Sequence, residues 1–402
     1  MANGYIPLKR GYYRFAQCLC SVVSALIFQR KVLRNELKGV KGPYLVIANH
    51  QSALDFINLI SAVRRPMTFV ISYSFFNTLP IKGFLEKLGM IAKQQFQTTA
   101  ADLKRMKAVV DAGEPVAIYP AGLMCEDGLS TPIPSATYKF LKWMDVDVYM
   151  AKSVGTYFVK PKWGKGVHPG RTYLDVYRLF TKEDLRALTM DQIRTIAGAA
   201  LDFDAYREQE KAMAKYVGAD QIEGLENVLY LCPDCNGEHT MQLRDKNTLR
   251  CSRCGYEAVA DRYGFFHCAG VKNPMRYVSD WSRWILAQER QKLAAGQWET
   301  LTCPTKIHMI DFEKNAFREV GEGTLTADNQ GLLLEGVVHG ESVSIRIPAD
   351  SVPTLPFSPG KYLELQQGKD IYRCRLEDGK LVMNFINRVK LRYERSREAV
   401  RT

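Results

Sequence analysis

Between residues 43 and about 180, short apolar runs alternate with stretches whose apolar positions recur every three or four residues. The runs are "PYLVIA", "MTFVIS", "GMIAK", "EPVAIYP", "VDVYMAKS" and "TYLDVYRLF", each short and rich in β-branched or aromatic side chains, which predicts strands. Between them, "SALDFINLISAV" and "AADLKRMKAVVDAG" have helical spacing, the second stopping at Gly113 as helices often do. "TKEDLRAL" and "TMDQIRTIAGAA" open with threonine at the cap position. Strand and helix in alternation predict an α/β domain, placed at residues 41–226.

Beyond it the pattern changes twice. "VSDWSRWILAQERQKLAAG" predicts one helix within a linker at 274–298, with Trp281, Trp284, Ile285 and Gln288 on neighbouring faces. From 301 to 398 strand-like runs such as "GLLLEGVV", "ESVSIRIP", "KYLELQQ" and "IYRCRLEDGK" are separated by Gly, Pro or Asp turns, and "LVMNFINRVKLRYERSR" closes the chain as an amphipathic helix. Several strands followed by one helix resemble a PH-like or GRAM-like module in architecture.

At the other end, "FAQCLCSVVSALIF" at 15–28 is too short for a spanning helix, which takes about 20 apolar residues. Lys9, Arg10 and Arg14 precede it, and Arg30, Lys31 and Arg34 follow. Two readings stand: a membrane-interface helix within an N-terminal segment 1–40, its basic flanks on anionic headgroups, or a buried core helix.

The 55 Lys and Arg against 43 Asp and Glu leave a formal charge of +12, which favours polyanionic partners: nucleic acid, an anionic membrane surface, or acidic substrates. Four of the ten cysteines, Cys232, Cys235, Cys251 and Cys254, form two Cys-x-x-Cys pairs, inside the spacing of a zinc ribbon placed at 227–262. Four thiolates close the coordination sphere, so the expected Zn is structural, with rubredoxin-like iron the alternative. Around the knuckles "RDKNTLRCSRCGYE" mixes acids and bases without a basic and aromatic stripe, so nucleic acid is not expected as a partner. His168, His239, His267, His308 and His339 lack the mutual spacing of a ligand set.

"NHQSALD" at 49–55 follows the first strand of the alternation. Ser52 and Asp55 fit a capping box, with Asp55 at the third helical position. His50 has no such explanation, because it stands at the carboxyl end of a buried strand, where α/β folds place their ligands. Along a continuous helix five residues would turn His50 and Asp55 apart by about 140°. They meet only if His50 lies before the helix and leans over its first turn. Asp55 then fixes the imidazole tautomer and leaves the other nitrogen as a base, while it also serves as a cap.

This stretch resembles the Asn-His-x-x-x-x-Asp block of the glycerolipid acyltransferases, the family of 1-acylglycerol-3-phosphate acyltransferases, and further blocks follow in family order over roughly residues 12 to 225. "LPIKGFLEKLGMIAKQ" resembles the second block, with Lys93 where the family usually has Arg. "YPAGLMC" resembles the third, with Tyr119, Pro120 and Gly122 in place, but Ala121, Leu123 and Met124 where Glu, Thr and Arg are usual. Glu126 and Asp127 either replace the missing carboxylate or shape a turn with Gly128.

The resemblance implies transfer of an acyl group from acyl-CoA or acyl-carrier protein to a hydroxyl of a lysophospholipid. In it His50 is the general base beside Asp55, and Asn49, Lys93, Tyr119, Pro120, Gly122 and Glu126 form the acceptor and oxyanion surface. Backbone N–H groups near Gly122 are the expected oxyanion donors. Cys125 reads as a small buried residue before an acyl-carrying nucleophile. The expected location is the cytoplasmic face of a membrane, peripheral or monotopic. The alternative is a non-catalytic lipid-binding or scaffolding protein with a decayed acceptor block.

Overall fold

Seven strands build the sheet of the first unit: β1 (Lys31–Asn35), β2 (Tyr44–Ala48), β3 (Thr68–Ser72), β4 (Ile91–Lys93), β5 (Val116–Ile118), β6 (Asp147–Val154) and β7 (Tyr173–Phe180). Their order is β1-β7-β6-β2-β5-β3-β4, with β6, β2, β5, β3 and β4 mutually parallel and β7 antiparallel to β6. The computed structural model describes residues 7–399, so the first six residues of the expected 1–40 segment lie outside the described residues. All six apolar runs of the α/β region form strands. β2 is buried on both faces, as a central parallel strand must be. Leu45 and Ile47 pack with Val116, Val148, Met150 and Met106 in one core cluster, and Tyr44 meets Tyr149 edge-on from the other face.

Among the described residues ten helices flank or connect these strands: α1 (Arg10–Leu26), α2 (Asp55–Ala62), α3 (Tyr73–Thr78), α4 (Lys82–Lys87), α5 (Ala100–Asp111), α6 (Ala136–Met144), α7 (Thr156–Val159), α8 (Lys182–Ala187), α9 (Met190–Leu201) and α10 (Ala205–Ala212). Thr181 and Thr189 cap α8 and α9, each in a full capping box, and Thr99 does the same for α5. The expected box at Ser52 does not form: α2 starts at Asp55 itself, and its N-cap Leu54 makes no side-chain bond.

Helix α1 begins earlier than its apolar run and divides its faces. Tyr13, Ala16, Cys20 and Ser24 are buried, with Ser24 Oγ 3.0 Å from Oδ1 of Asn58 on α2. Opposite them Phe15, Leu19 and Leu26 are 65%, 56% and 70% exposed, and Tyr12 and Val22 join this outward stripe. No helix among the described residues is long and apolar enough to cross a membrane. The following basic flank does not all face outward: Arg30 turns inward onto Asn58 O and Ser61 Oγ, and Arg34 pairs with Asp175 at 2.8 Å.

The chain divides at Ala219, with Lys162–Lys165 belonging to the second unit together with everything from Asp220 onward. There β8 (Met241–Asp245), β9 (Thr248–Cys251), β10 (Glu257–Ala260) and β11 (Phe266–His267) form a small antiparallel sheet. Helix α11 (Val278–Ala294) completes its core: Trp281 is fully buried against Tyr256 and Phe266, and its Nε1 donates to Leu231 O at 2.9 Å.

Seven further strands, β12 (Leu301–Asp311), β13 (Ala316–Asp328), β14 (Gly331–Val338), β15 (Glu341–Pro348), β16 (Phe357–Ser358), β17 (Tyr362–Gln367) and β18 (Asp370–Leu376), pair antiparallel in the order β15-β14-β13-β12-β18-β17-β16. Helix α12 (Val382–Ala399) buries Val382, Phe385 and Ile386, the apolar side of its amphipathic pattern.

Candidate functional site

Five parallel strands deliver their carboxyl ends to one edge of the first sheet, and the loops leaving β2 and β5 meet there. Cys125 N–H donates to His50 O at 3.3 Å, which ties the loop after β5 to the loop after β2. Gln95, two residues beyond β4, donates to Gly122 O at 2.8 Å and its Oε1 accepts from Ser72 at the end of β3. The three sequence blocks are therefore one site.

At its centre Nδ1 of His50 lies 2.9 Å from Oδ2 of Asp55. The His50 side chain is 21% exposed and that of Asp55 is fully enclosed. His50 stands on the turn before α2, as the geometry requires. The same Asp55 oxygen accepts the N–H groups of Gln51 at 2.8 Å and Ser52 at 2.9 Å. With Oδ2 an acceptor throughout, the imidazole carries a proton on Nδ1, and in the neutral ring Nε2 holds the lone pair. Asp55 thus reaches back over the preceding loop, and Ser52 Oγ donates instead to Lys160 O at 3.0 Å.

Tyr119 covers the imidazole, with ring centroids 4.6 Å apart, and burial together with the Asp55 charge pushes its hydroxyl well above the usual tyrosine range. Tyr119, Pro120, Ala121 and Gly122 form a turn closed by Gly122 N–H to Tyr119 O at 2.9 Å. Gly122 sits at φ +69°, in the left-handed region. An added Cβ there would meet nothing within 4 Å, so backbone conformation, not close approach, requires this glycine. Its N–H is engaged in the turn and is not an oxyanion donor. The next N–H, that of Leu123, makes no hydrogen bond among the described residues.

The other expected acceptor residues divide. Asn49 is buried and exchanges two hydrogen bonds with the Ser153 backbone, at 2.8 and 2.7 Å, so it clasps β2 to β6 and does not present its amide to a ligand. Lys93 ends β4 half-buried, its Nζ donating to Gln94 O at 2.9 Å with no ion pair among the described residues. Burial lowers its pKa from the ordinary lysine value, against a smaller opposing effect of Asp102. Glu126 is 4% exposed, enclosed behind the turn. Asp127 Oδ1 accepts Leu129 N–H at 3.0 Å next to Gly128, which is the turn-shaping reading of this pair. Cys125 is buried, and burial first, then Asp127 and Glu126, pushes its thiol well up, so it remains a protonated core residue.

Gln51 has no place in the sequence reading. It is fully buried, accepts from Thr156 Oγ1 at 3.2 Å and Tyr157 N–H at 3.3 Å, and donates to Glu208 at 3.4 Å. Burial raises the Glu208 carboxyl pKa, against Lys152 at 2.9 Å. The polar pair Gln51-Ser52 between His50 and Asp55 was the only sequence signal for this clamp.

In the second unit Cys232, Cys235, Cys251 and Cys254 gather so that their Sγ atoms lie within 4.8 Å of one another. Cys232 and Cys254 approach to 3.6 Å and Cys235 and Cys251 to 3.7 Å, close to the ~3.8 Å edge of a tetrahedron with 2.3 Å Zn–S bonds. All four are free of disulfides, and each knuckle is followed by a left-handed residue, Asn236 and Gly255. The thiol set fits a four-coordinate metal with no open position.

Residues 28–164 match the family model described as Acyltransferase. No curated protein matches the chain. Among solved structures, the 1-acyl-sn-glycerophosphate (LPA) acyltransferase PlsC of Thermotoga maritima is similar at 16% identity over 50% of this chain and 79% of that one, with a TM-score of 0.41.

Proposed function

Taking residues 28–164 as an acyltransferase domain, we propose that the chain moves a fatty acyl group from a thioester to a hydroxyl of a lysophospholipid, 1-acylglycerol 3-phosphate or a related acceptor. The observation that carries this reading is the enclosed Asp55 carboxylate holding the half-buried His50 at the carboxyl edge of the sheet. The acceptor hydroxyl gives its proton to His50 Nε2 as its oxygen attacks the thioester carbonyl. Asp55 steadies the resulting imidazolium. Collapse of the tetrahedral adduct breaks the C–S bond, and the departing thiolate takes the proton from Nε2. The developing oxyanion draws on the Leu123 N–H, which the turn leaves without a partner among the described residues.

Lys93 supplies the cation for an acceptor phosphate, supported by an ammonium that forms no ion pair among the described residues. The outward stripe of α1, with exposed Arg10 and Arg14 at its start, supports docking on an anionic membrane surface, peripheral or monotopic, on the cytoplasmic side. The donor is acyl-CoA or acyl-carrier protein. The four cysteines hold a structural zinc, which supplies folding energy and no reactive position. We further read 41–226 as the acyltransferase domain, 227–262 as a zinc ribbon, 274–298 as a linker helix and 301–398 as a PH/GRAM-like module. The antiparallel seven-stranded sheet followed by α12 supports the last assignment.

The decisive experiment supplies purified protein in mixed micelles with acyl-CoA or acyl-carrier protein and 1-acylglycerol 3-phosphate, and follows the diacyl product. Transfer lost on His50→Ala establishes the enzyme. Lipid binding without turnover in the wild type establishes the scaffolding alternative.

A further inference from the structure

A hydrogen bond defines a line and not a plane, so the contact of His50 Nδ1 with Asp55 Oδ2 at 2.9 Å leaves the imidazole free to pivot about it. No second side chain hydrogen-bonds the ring among the described residues. The ring instead meets Tyr119, with centroids 4.6 Å apart and the two planes inclined at 34°. An aromatic plate against one face stops the pivot in that direction.

The fold brings the two side chains together because β2 and β5 are parallel neighbours, with Ile47 opposite Ile118. Tyr119 is the first residue after β5, and His50 is the second after β2. Tyr119 also begins the turn that leaves the Leu123 N–H open. Its carbonyl accepts Gly122 N–H at 2.9 Å, Gln95 holds Gly122 O at 2.8 Å, and Cys125 N–H returns to His50 O at 3.3 Å. The residue against the base thus belongs to the turn that offers the oxyanion donor, and a shift of one displaces the other.

The Tyr119 hydroxyl takes no part in this arrangement. It has no hydrogen-bond partner among the described residues, and burial first, then the Asp55 charge, keeps it protonated. What acts is the ring, whose electron-rich face attracts a cation within about 6 Å of its centroid. That attraction is weak for a neutral imidazole and grows as His50 takes up a proton, so it favours charge that develops only during the reaction.

We propose that Tyr119 is the positioning residue of His50, acting through the face of its ring and not through its hydroxyl. The ring fixes the plane of the imidazole against Asp55, keeps Nε2 in constant relation to the Leu123 N–H, and steadies the imidazolium. The resemblance put Tyr119 on the acceptor surface; the contact assigns it to the base. The kinetic part rests on the acyl-transfer reading, whereas the hold on the imidazole is independent of the substrate.

The test compares wild type with Tyr119→Phe, which keeps the ring, and with Tyr119→Leu and Tyr119→Met, two variants that keep apolar bulk without it. All are measured well below their own Tm. In acyl transfer to 1-acylglycerol 3-phosphate, the ring-free variants should lose about tenfold to a hundredfold in kcat with KM within about threefold of wild type. Tyr119→Phe should restore kcat to within about threefold. Loss in kcat with KM held is the pattern of an interaction made in the transition state. Separately from turnover, isotope-labelled histidine gives the His50 Nδ1–H resonance, identified by its absence from His50→Ala. Its exchange with water should be slow in wild type and Tyr119→Phe and about tenfold faster without the ring. Equal kcat loss in Tyr119→Phe and Tyr119→Leu overturns the proposal and puts the hydroxyl on the substrate. A raised KM with kcat kept also overturns it and returns Tyr119 to the acceptor surface, as does Nδ1–H exchange that is the same in wild type and both ring-free variants. If wild type transfers no acyl group, the acyl-transfer reading fails by itself, and the exchange rates still decide whether Tyr119 holds the imidazole.

Discussion

Oδ2 of Asp55 accepts three hydrogens at once, from Nδ1 of His50 at 2.9 Å and from the N–H groups of Gln51 and Ser52. A single oxygen therefore sets both the ring and the loop that carries it. His50→Ala is expected to leave Tm nearly unchanged and to lower kcat by about a hundredfold to ten-thousandfold. Asp55→Asn retains an acceptor for the loop but offers an N–H or the wrong tautomer to the imidazole, so kcat falls steeply with a smaller loss of Tm. Equal initial rates in wild type and His50→Ala would exclude the enzymatic reading.

Gly122→Ala separates conformation from contact. The new methyl has open space but must adopt φ +69°, at a cost of roughly 1–2 kcal/mol. Because the turn carries Tyr119 over His50 and is tied to Gln95, kcat should fall more than the change in denaturation midpoint would explain. Urea unfolding and initial rates measured on the same preparations check this.

Acceptor binding should depend on pH through Lys93. Burial disfavours its charged form, so its pKa in the free protein lies below the ordinary 10.5. A bound phosphate favours the charged form and raises the pKa again. Affinity for a phosphate-bearing acceptor is accordingly full at lower pH and declines as pH rises through the lowered Lys93 pKa, with proton uptake on binding. Lys93→Ala should remove this pH dependence and raise KM, by an amount equivalent to about 1.5–3 kcal/mol, while leaving an uncharged lysolipid unaffected. Calorimetry in two buffers of different ionisation enthalpy measures the uptake.

Chelation, or Cys232→Ser, is expected to release one metal ion per chain and to lower the melting transition of the second unit, while the first unit, with its own core, melts nearly as before. Metal analysis beside calorimetry distinguishes the two transitions. Metal retained fully by Cys232→Ser would overturn the four-thiolate assignment.

Phe15→Ser with Leu19→Ser changes residues that are already exposed, so stability should shift by less than about 1 kcal/mol. Sedimentation with anionic vesicles should nonetheless fall sharply. The control Cys20→Ser alters the inward face and should reduce Tm without selectively reducing vesicle binding.

Much of the α/β unit was legible because central parallel strands are apolar throughout and stand out against helical spacing. β1 escaped for the opposite reason: four of its five residues are exposed on an edge, so the strand leaves no apolar run and was read as a basic flank. His50 and Asp55 were legible as residue types at a strand end. The helix start was not, because Asp55 faces backward to the loop and Ser52 finds a partner 108 residues away in Lys160. Distant pairings of this sort also hid Asn49 with Ser153 and Gln51 with Glu208.

Gln17 of α1 donates from Nε2 to Ile60 O at 2.9 Å and to Val63 O at 2.7 Å, closing the carboxyl end of α2, the helix that opens at Asp55. Eight residues of α2 span about 12 Å. On the proposed reading, the amphipathic anchor and the proton-accepting nitrogen are thus joined by a rigid strut of fixed length. Gln17 therefore couples the placement of the outward stripe of α1 to the placement of the His50–Asp55 pair, and Gln17→Ala should disturb both.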